Sequence, residues 1–300
     1  METVYFIGIC GTAMATLAAM LKDEGHRVLG SDQYVYPPMS DFLAARNIPC
    51  YDGFDADHIT PDIDLAVIGN AVSRGNPEVE AVLNRKVRYR SLPEMVRETW
   101  LWDRRSIIVA GTHGKTTTAA LVSWLLTDGD RDPSFLVGGM TGNFESSYRL
   151  GKGREFVIEG DEYDSAFFDK TPKFLKYLPD VAVVGNLEFD HADIYADFES
   201  VQAAVRRLVT LLPRQGLLLV GADSRAALEV SAEAPCSVST FGLADSAEWR
   251  ATEIKPESTE TSFALEHRGV RIADIKVPLV GEFNVRNVLA AFAVARTIGI

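Results

Sequence analysis

Val109–Thr117 reads VAGTHGKTT and lies between an apolar run, Ser106–Ala110, and a helix-like run, Thr116–Leu126. A strand that enters a glycine-bearing turn ending in Gly-Lys-Thr, with a helix directly after it, is typical of a phosphate-binding loop. Successive backbone N–H groups and the positive end of the helix surround a polyphosphate there. We expect Lys115 to reach the outer phosphates of a nucleotide, and the Thr116 hydroxyl to hold Mg²⁺.

The match to this loop is imperfect, because the first glycine of the usual G-x-x-x-x-G-K-[ST] pattern falls on Val109. The alternative is a chance Gly-Lys-Thr in a surface turn. The strand before the turn and the helix after it favour the loop, since that context is what supports such a motif. The sequence therefore predicts that a polyphosphate binds along this loop, which comprises Gly111, Thr112, His113, Gly114, Lys115, Thr116 and Thr117.

The bulk properties indicate a soluble globular protein of about two domains. The chain has 300 residues, of which 47% are hydrophobic and 24% charged. No apolar run reaches the roughly 18 residues that span a bilayer, and the N-terminus lacks the basic segment of a secretory signal. The three cysteines, Cys10, Cys50 and Cys236, form no metal or disulfide pattern, which fits a cytoplasmic location. The net charge of −12 argues against nucleic-acid binding.

The first hundred residues predict a Rossmann-like domain with a parallel sheet. Val4–Ile9 reads as a buried strand, a turn and a helical pattern follow, and Val28–Asp32 reads as a second strand ending in an acid. This β-α-β unit lacks G-x-G-x-x-G, so its dinucleotide fingerprint is weak. Asp32 either binds a ribose hydroxyl or caps the next segment.

A third buried strand, Leu65–Asn70, opens into a loop at the carboxyl end of the predicted sheet, where ligands bind in such folds. Arg74 in that loop either meets an anionic ligand or is solvated. A helix is predicted over Pro77–Arg85 and a strand near Val87–Tyr89. The polar segment Trp102–Arg105 marks the predicted boundary, which gives domains at 1–103 and 104–300.

The second domain is predicted to be an α/β domain of the P-loop ATPase type. Acidic residues follow two of its strands, in the segments 160–164 and 187–193, where they could bind Mg²⁺. His191 is either a metal ligand, an orienter of one, or half of a structural His–Asp pair. A helix is predicted over Asp197–Leu212 and a small extra antiparallel sheet over Ala247–Val277. A final helix follows Gly281–Asn287.

Four of these segments together resemble the Mur ligases, the ATP-dependent amide-forming enzymes of peptidoglycan synthesis. Residues 111–117 are similar to the family's ATP loop, 160–164 and 186–193 to its two magnesium segments, and 281–287 to its adenine-side segment. The resemblance implies magnesium ligands at Thr116, Glu162 and His191, and catalytic roles for Lys115, Glu162 and His191. Asn284 is implied as an adenine contact, and the alternative for it is a helix N-cap.

Three further stretches, 31–40, 69–77 and 161–170, resemble the family members that join L-alanyl-γ-D-glutamyl-meso-diaminopimelate to UDP-N-acetylmuramic acid. The implied reaction activates the lactyl carboxylate as an acyl phosphate at the expense of ATP, in cytoplasmic peptidoglycan recycling. The nearest alternative is the member that adds L-alanine to the same nucleotide sugar. The residues implied to bind this sugar are Gly8, Gly11, Thr12, Asp32, Asn70, Ser73 and Arg74.

Two departures from the family pattern bear on these expectations. Several Mur ligases carry a modified lysine about fourteen residues after the histidine, and Val205 stands at that position here. A second magnesium bridged by that lysine is therefore not expected. The family resembles three-domain enzymes, and the resemblance implies that the last domain is absent from these 300 residues, which alone would then be inactive.

Two other classes of function compete with the ligase interpretation. One is an NAD-dependent oxidoreductase built on the N-terminal β-α-β unit, which the missing G-x-G and the downstream ATP loop disfavour. The other is a nucleotide-binding module without catalytic activity.

Overall fold

The computed structural model describes residues 1–189 and 195–300, and within these ranges the chain forms two compact units. Unit 1 comprises Met1–Trp102, Ser147–Arg149 and Tyr163–Tyr177, and unit 2 comprises Asp103–Ser146, Leu150–Glu162 and Leu178–Ile300. Two segments of unit 1 thus lie within residues 104–300 of the chain. The domain division at 1–103 and 104–300 stays a prediction.

Unit 1 is built on five parallel strands: β1 (Thr3–Ile7), β2 (Arg27–Asp32), β3 (Cys50–Asp52), β4 (Leu65–Ile68) and β5 (Arg88–Ser91). Their order in the sheet is β3-β2-β1-β4-β5. The order reverses between β1 and β4, so the loops that follow these two strands diverge from a topological switch point, where ligands bind in open α/β sheets.

The helices of unit 1 are α1 (Thr12–Asp23), α2 (Met39–Ala45), α3 (Pro77–Arg85) and α4 (Leu92–Thr99). Sequence signals fix the start of α3, because the Asn76 side chain accepts hydrogen bonds from the Glu78 and Val79 nitrogens at 2.9 and 3.2 Å. Pro77 occupies the first helical position, where a missing N–H costs nothing. These caps fix the point at which the loop after β4 ends.

The later segments of unit 1 form a short antiparallel hairpin, β10 (Asp164–Ala166) and β11 (Asp169–Pro172). Phe168 packs edge-on against Tyr89 with ring centroids 5.0 Å apart. Strand β8 (Ser146–Arg149) precedes this hairpin in the chain, and its last three residues belong to unit 1.

Unit 2 contains nine strands of a mixed sheet: β6 (Arg105–Ala110), β7 (Ser134–Thr141), β9 (Glu155–Glu159), β12 (Val181–Val184), β13 (Leu217–Gly221), β14 (Ser237–Gly242), β15 (Trp249–Pro256), β16 (Thr261–His267) and β17 (Val270–Val277). Their order in the sheet is β17-β16-β15-β14-β13-β12-β6-β9-β7. The strands from β15 to β7 are parallel, and β16 is antiparallel to both of its neighbours, β15 and β17. The predicted small antiparallel sheet is therefore one end of the large sheet.

The helices of unit 2 are α5 (Lys115–Asp128), α6 (Phe198–Thr210), α7 (Arg225–Ser231) and α8 (Glu282–Thr297). Alternate residues of β12 enter two different cores: Val181 and Val183 lie in the cluster that contains α5 and α8, and Ala182 and Val184 in the cluster that contains α6 and α7. Because successive strand residues point to opposite faces, helices cover both faces of this parallel sheet.

The predicted α/β class and the parallel sheet of the first domain are confirmed. The helix predicted over Pro77–Arg85 has those bounds, and the helix predicted over Asp197–Leu212 is α6. In the parts of the chain that the structure describes, every helix is too short or too polar to cross a bilayer.

Candidate functional site

The loop between β6 and α5 depends on two glycines. Gly111 has a φ angle of +121° and Gly114 one of +80°, values that L side chains adopt only with strain. A β-carbon at Gly114 would also overlap the Asn287 amide, and one at Gly111 would lie 3.0 Å from the Gly185 nitrogen. Helix α5 begins directly after the loop at Lys115, so the loop adjoins the positive end of a helix, which favours a bound phosphate.

Lys115 lies over the loop and is held by three acceptors. Its ammonium donates to the Gly111 carbonyl at 2.8 Å and to the Thr112 carbonyl at 3.3 Å, and it pairs with the Glu162 carboxylate at 2.9 Å. The side chains of Lys115 and Glu162 are only 16% and 12% exposed. The loop therefore holds a positive charge at a fixed place, as a site for the outer phosphates of a nucleotide requires.

Thr116 contacts an acid that sequence reasoning missed. Its hydroxyl donates to Glu159 at 3.1 Å, and the Gly138 nitrogen donates to the other oxygen of the same carboxylate at 2.5 Å. Burial raises the pKa of Glu159, against the opposing effects of these two hydrogen bonds. A hydroxyl and a carboxylate side by side are the hard oxygen ligands that Mg²⁺ prefers, so Thr116 and Glu159 fit the ion.

The other predicted magnesium ligands are in a different situation. Glu162 pairs with Lys115, so its carboxylate already serves as that lysine's counter-charge. His191 lies outside the described residues. Within the ranges 1–189 and 195–300, no three side chains of His, Cys, Asp or Glu converge on a point that could hold a metal. The ligand roles of Glu162 and His191 stay predictions.

A cavity of about 590 Å³ opens beside the loop and extends toward α8. The loop residues His113, Gly114 and Lys115 line one end of it. Four residues of α8, spaced as one face of a helix, line another side: Phe283, Arg286, Asn287 and Ala290. The remaining walls come from the ends of parallel strands and include Gly185, Asn186, Gly221, Asp223 and Phe241.

The structure corrects one of the two interpretations of Asn284, the helix N-cap. It is not the N-cap of α8, because the helix begins at Glu282 and the cap position is Gly281. The Asn284 amide donates to the Val280 carbonyl at 2.9 Å, and Asn287, about one turn later, lines the cavity. The role of Asn284 as an adenine contact stays a prediction.

Asp223 joins three elements at the edge of this cavity. Its carboxylate accepts hydrogen bonds from the Leu243 and Ala244 nitrogens at 2.9 and 2.8 Å, and from Arg286 at 2.9 Å. Strand β13, the loop after β14 and helix α8 are thereby tied together. No sequence motif marked Asp223, since its partners lie 20 or more residues away.

Unit 1 contains a second cavity, of about 910 Å³, at the switch point between β1 and β4. All seven residues that the sequence predicted for the nucleotide sugar line it: Gly8, Gly11, Thr12, Asp32, Asn70, Ser73 and Arg74. The exposed rings of Tyr34 and Tyr36 also line it and were not predicted. The structure thus brings the two predicted loops to one cavity.

Several backbone N–H groups of the turn after β1 donate hydrogen bonds within unit 1. The Gly8 and Ile9 nitrogens both donate to the Ser31 carbonyl at 2.9 Å, and the Cys10 nitrogen donates to the Asp32 carboxylate at 2.8 Å. Asp32 therefore holds the turn in place. Gly11 is the N-cap of α1 and brings no capping side chain, which leaves the helix N-terminus open toward a ligand.

Arg74 is paired rather than simply solvated. Its guanidinium donates to both oxygens of Glu80, at 2.9 and 3.0 Å. Hydrogen bonds from Arg74 and the Gly75 nitrogen lower the pKa of Glu80 to about 2. An anionic ligand would have to compete with this carboxylate for Arg74.

A buried carboxylate, that of Glu78, connects a helix of unit 1 to two of its strands by hydrogen bonds. Glu78 is fully buried and accepts hydrogen bonds from the Tyr5 hydroxyl at 2.9 Å and the Ser31 hydroxyl at 2.5 Å. The His58 ring lies 2.7 Å from the same carboxylate. Glu78 thereby ties α3 to β1 and β2, and sequence reasoning missed it because a glutamate in a first helical turn is ordinarily solvated.

Two of the three cysteines are neighbours in space, although their sequence spacing matches no pattern. The sulfur atoms of Cys10 and Cys50 lie 3.8 Å apart, and both residues are free thiols. Burial raises the pKa of Cys50 to about 12, so this thiol stays protonated at neutral pH.

Comparison with protein families matches both parts of the chain. Residues 3–100 match the model of the Mur ligase family, catalytic domain, and residues 109–295 match that of the Mur ligase middle domain. The chain belongs to the Mur ligase family.

Individual Mur ligases resemble the chain over its whole length. The UDP-N-acetylmuramate–L-alanyl-γ-D-glutamyl-meso-2,6-diaminoheptandioate ligase of Escherichia coli (strain K12) is 42% identical over 99% of the chain and 64% of its own length. The UDP-N-acetylmuramate–L-alanine ligase of Geobacter sp. (strain M21) is 33% identical over 100% of the chain and 63% of its own length. The chain thus spans slightly less than two thirds of these curated relatives.

A solved structure agrees with this assignment. The crystal structure of the UDP-N-acetylmuramate:L-alanyl-γ-D-glutamyl-meso-diaminopimelate ligase from Neisseria meningitides superposes with a TM-score of 0.93 and 39% identity. The match covers 100% of this chain and 94% of that one. Membership of the Mur ligases favours the ligase interpretation over an oxidoreductase built on the first β-α-β unit.

Val205, at the position where several Mur ligases carry a modified lysine, is a core residue of α6. It is 4% exposed and packs in the cluster that includes Leu187 and Val209. The number of magnesium ions stays a prediction.

Proposed function

We propose that this chain carries the ATP-binding and nucleotide-sugar-binding parts of a ligase that joins L-alanyl-γ-D-glutamyl-meso-diaminopimelate to the lactyl carboxylate of UDP-N-acetylmuramic acid. The observation that carries the proposal is the fixed ammonium of Lys115 on a glycine loop at the start of α5, beside an open cavity. The higher identity to tripeptide ligases than to L-alanine ligases supports the choice of amine.

The proposed reaction solves a leaving-group problem. A free carboxylate resists attack by an amine because oxide would have to leave. Transfer of the γ-phosphoryl group from ATP to the lactyl carboxylate gives an acyl phosphate and ADP. The amine nitrogen then attacks the carbonyl carbon, the carbon–oxygen bond to phosphate breaks, and the nitrogen loses a proton, which yields the amide and inorganic phosphate.

Lys115 is the residue that we assign to the transferred phosphoryl group. Negative charge spreads over its oxygens during transfer, and a cation already in position stabilises that charge without reorganisation. Glu162 and two loop carbonyls hold the ammonium over the loop, at the start of α5.

Thr116 and Glu159 are the residues that we assign to Mg²⁺, with Glu162 and His191 as the further ligands that the family resemblance implies. The ion would neutralise charge on the bridging phosphate oxygens. Gly138 and the surrounding strands keep the Glu159 carboxylate in place for this contact.

The nucleoside end of ATP is assigned to the walls of the cavity that α8 and the end of β14 form. Phe283 and Phe241 offer aromatic surface there. The UDP-sugar is assigned to the cavity of unit 1, where the open N-terminus of α1 adjoins Gly11 and Thr12.

The test is a phosphate-release assay with ATP, UDP-N-acetylmuramic acid and a panel of amines: the tripeptide, the corresponding tetrapeptide and L-alanine. It is run on the 300-residue chain and on the complete gene product. We expect turnover by the complete product that depends on both the sugar and the tripeptide. Preference for L-alanine would instead support the alternative ligase, and phosphate release independent of any sugar would contradict the proposal.

Tight NADH binding, followed by fluorescence, would revive the oxidoreductase interpretation.

A further inference from the structure

Asn186 stands opposite the phosphate-binding loop at the end of the neighbouring strand. Strand β12 pairs with β6 in parallel, with Val184 beside Ala110, so the residues after both strands emerge at the same edge of the sheet. Asn186 is two residues beyond β12, half-buried, and lines the cavity of unit 2.

Asn186 contacts two successive residues of the loop. Its carbonyl accepts the Thr112 N–H at 2.9 Å, and its side-chain oxygen accepts the His113 N–H at 3.3 Å. Its side-chain nitrogen donates to the Glu188 carboxylate at 2.9 Å, which fixes the orientation of the amide. One asparagine thus uses a backbone acceptor, a side-chain acceptor and a side-chain donor together.

A second set of bonds holds the same segment. The Glu188 nitrogen donates to the Thr112 hydroxyl at 2.9 Å, and that hydroxyl lies 3.3 Å from the Glu188 carbonyl. The Glu188 carboxylate also lies 3.5 Å from the His113 ring. Thr112 is largely buried, so its hydroxyl is shielded from water.

These contacts distinguish the first half of the loop, Thr112 and His113, from its second half at the start of α5. The N–H groups of Thr112 and His113 are engaged by Asn186, whereas the first N–H groups of α5, from Lys115 onward, have no acceptor within their own helix. A phosphate would be met by the second half of the loop, and its geometry depends on how firmly the first half is held.

We propose that Asn186 is a positioning residue that holds the phosphate-binding loop in its binding form, with Thr112 and Glu188 completing the clamp. The inference rests on the proposed binding of ATP in this cavity. An asparagine suits the place because its amide accepts and donates without charge. An aspartate would keep the acceptor but would put a negative charge beside the phosphates.

The test compares two nucleotides on the 300-residue chain by titration calorimetry, AMP-PNP with Mg²⁺ and AMP. We expect Asn186→Ala to weaken AMP-PNP binding about tenfold, the usual effect of losing a hydrogen bond that holds a binding group. AMP binding should change by less than about twofold, because AMP lacks the outer phosphates that the second half of the loop meets. Asn84→Ala, at an exposed position of α3, is the matched control and should leave both affinities unchanged.

A second pair of variants tests the other side of the clamp and serves if Asn186→Ala does not fold. Thr112→Val removes the hydroxyl that Glu188 uses and should weaken AMP-PNP selectively, and Thr112→Ser should restore it. Equal losses for AMP-PNP and AMP, or no loss for either, would overturn the inference while leaving the proposed function intact. Failure of the unaltered chain to bind AMP-PNP would overturn the proposed function, and the inference with it.

Discussion

The two cavities are built on the same local plan and differ in charge. Each follows a buried parallel strand, a turn that contains glycine, and the N-terminus of a helix, at α1 in unit 1 and at α5 in unit 2. In unit 2 the first residue of the helix is Lys115, whose ammonium lies back over the turn. In unit 1 the corresponding position is Thr12, and the cation that lines the cavity, Arg74, is paired with Glu80.

This difference matches what each cavity is proposed to do. A diphosphate that is only held needs N–H groups and a helix dipole, and its charge does not change during the reaction. A phosphoryl group in transfer spreads new charge over its oxygens, and a fixed cation stabilises it. The same strand-turn-helix plan would thus bind a diphosphate without a lysine and stabilise a phosphoryl group in transfer with one.

The largest expected effect comes from removing the cation of unit 2. Lys115→Ala should lower the rate of phosphate release by the complete gene product about 10²–10³-fold, the usual result of losing one preorganised group that stabilises developing charge. Lys152→Ala, at an exposed position of the same unit, is the control. An unchanged rate would contradict the claim that a fixed cation in the cavity of unit 2 stabilises the transferred phosphoryl group.

The next effect tests the geometry of the loop rather than its charge. Gly114→Ala places a β-carbon against the Asn287 amide at a φ angle of +80°, so the free energy of unfolding of unit 2 should fall by about 2 kcal/mol. Gly142→Ala is the matched control, because its β-carbon would meet no atom within 4 Å. Urea unfolding of both variants measures the difference, and equal stabilities would remove the argument that Gly114 is required.

A charge added to unit 1 gives the complementary test. Gly11 caps α1 with a φ angle of −64°, and a β-carbon there meets no atom closer than 3.8 Å. Gly11→Asp should therefore keep or raise the thermal stability, since aspartate is a good N-cap. It should also weaken UDP-N-acetylmuramic acid binding at least about tenfold by repulsion of the diphosphate.

Gly11→Ser controls for the added side chain, because serine caps the helix without charge. If Gly11→Asp and Gly11→Ser bind the sugar equally well, the diphosphate does not lie at this helix end.

The smallest effect concerns the paired cation of unit 1. Glu80→Gln releases Arg74 and should tighten binding of UDP-N-acetylmuramic acid about two- to threefold at low salt, with less effect at high salt. The pKa of Glu80 is lowered to about 2. The ion pair with Arg74 is therefore fully formed at any pH above the ordinary pKa of a glutamate, and it is lost only as the pH falls toward 2. The effect should therefore be constant from about pH 5 to about pH 8, and a strong pH dependence in that range would point to a different partner for Arg74.

Sequence reasoning reached the parts of the site that are encoded locally. The loop at 111–117 and the turn after β1 each combine a buried strand, glycines and a helix start within about 20 residues, so their patterns are visible in the chain. Seven predicted residues line the cavity of unit 1 for the same reason, since both of their loops follow recognisable strands.

The residues that were missed depend on segments that are distant in the chain. Glu159 lies at the last position of β9, and only the folded sheet brings it to Thr116. Asp223 meets partners from two other elements, and Glu78 is buried against strands that precede it by more than 40 residues. Asn287 lines the cavity of unit 2 and was not singled out from the sequence, although 283, 286, 287 and 290 have the spacing of one helix face.

The measurement that tests the two-cavity account most directly is calorimetric titration of two variants with two ligands. Lys115→Ala and Gly11→Asp are each titrated with Mg²⁺ and AMP-PNP and with UDP-N-acetylmuramic acid. The account predicts a crossed pattern, in which Lys115→Ala loses AMP-PNP affinity and keeps the sugar, and Gly11→Asp does the reverse. Loss of the same ligand in both variants, or of both ligands in either folded variant, would contradict it.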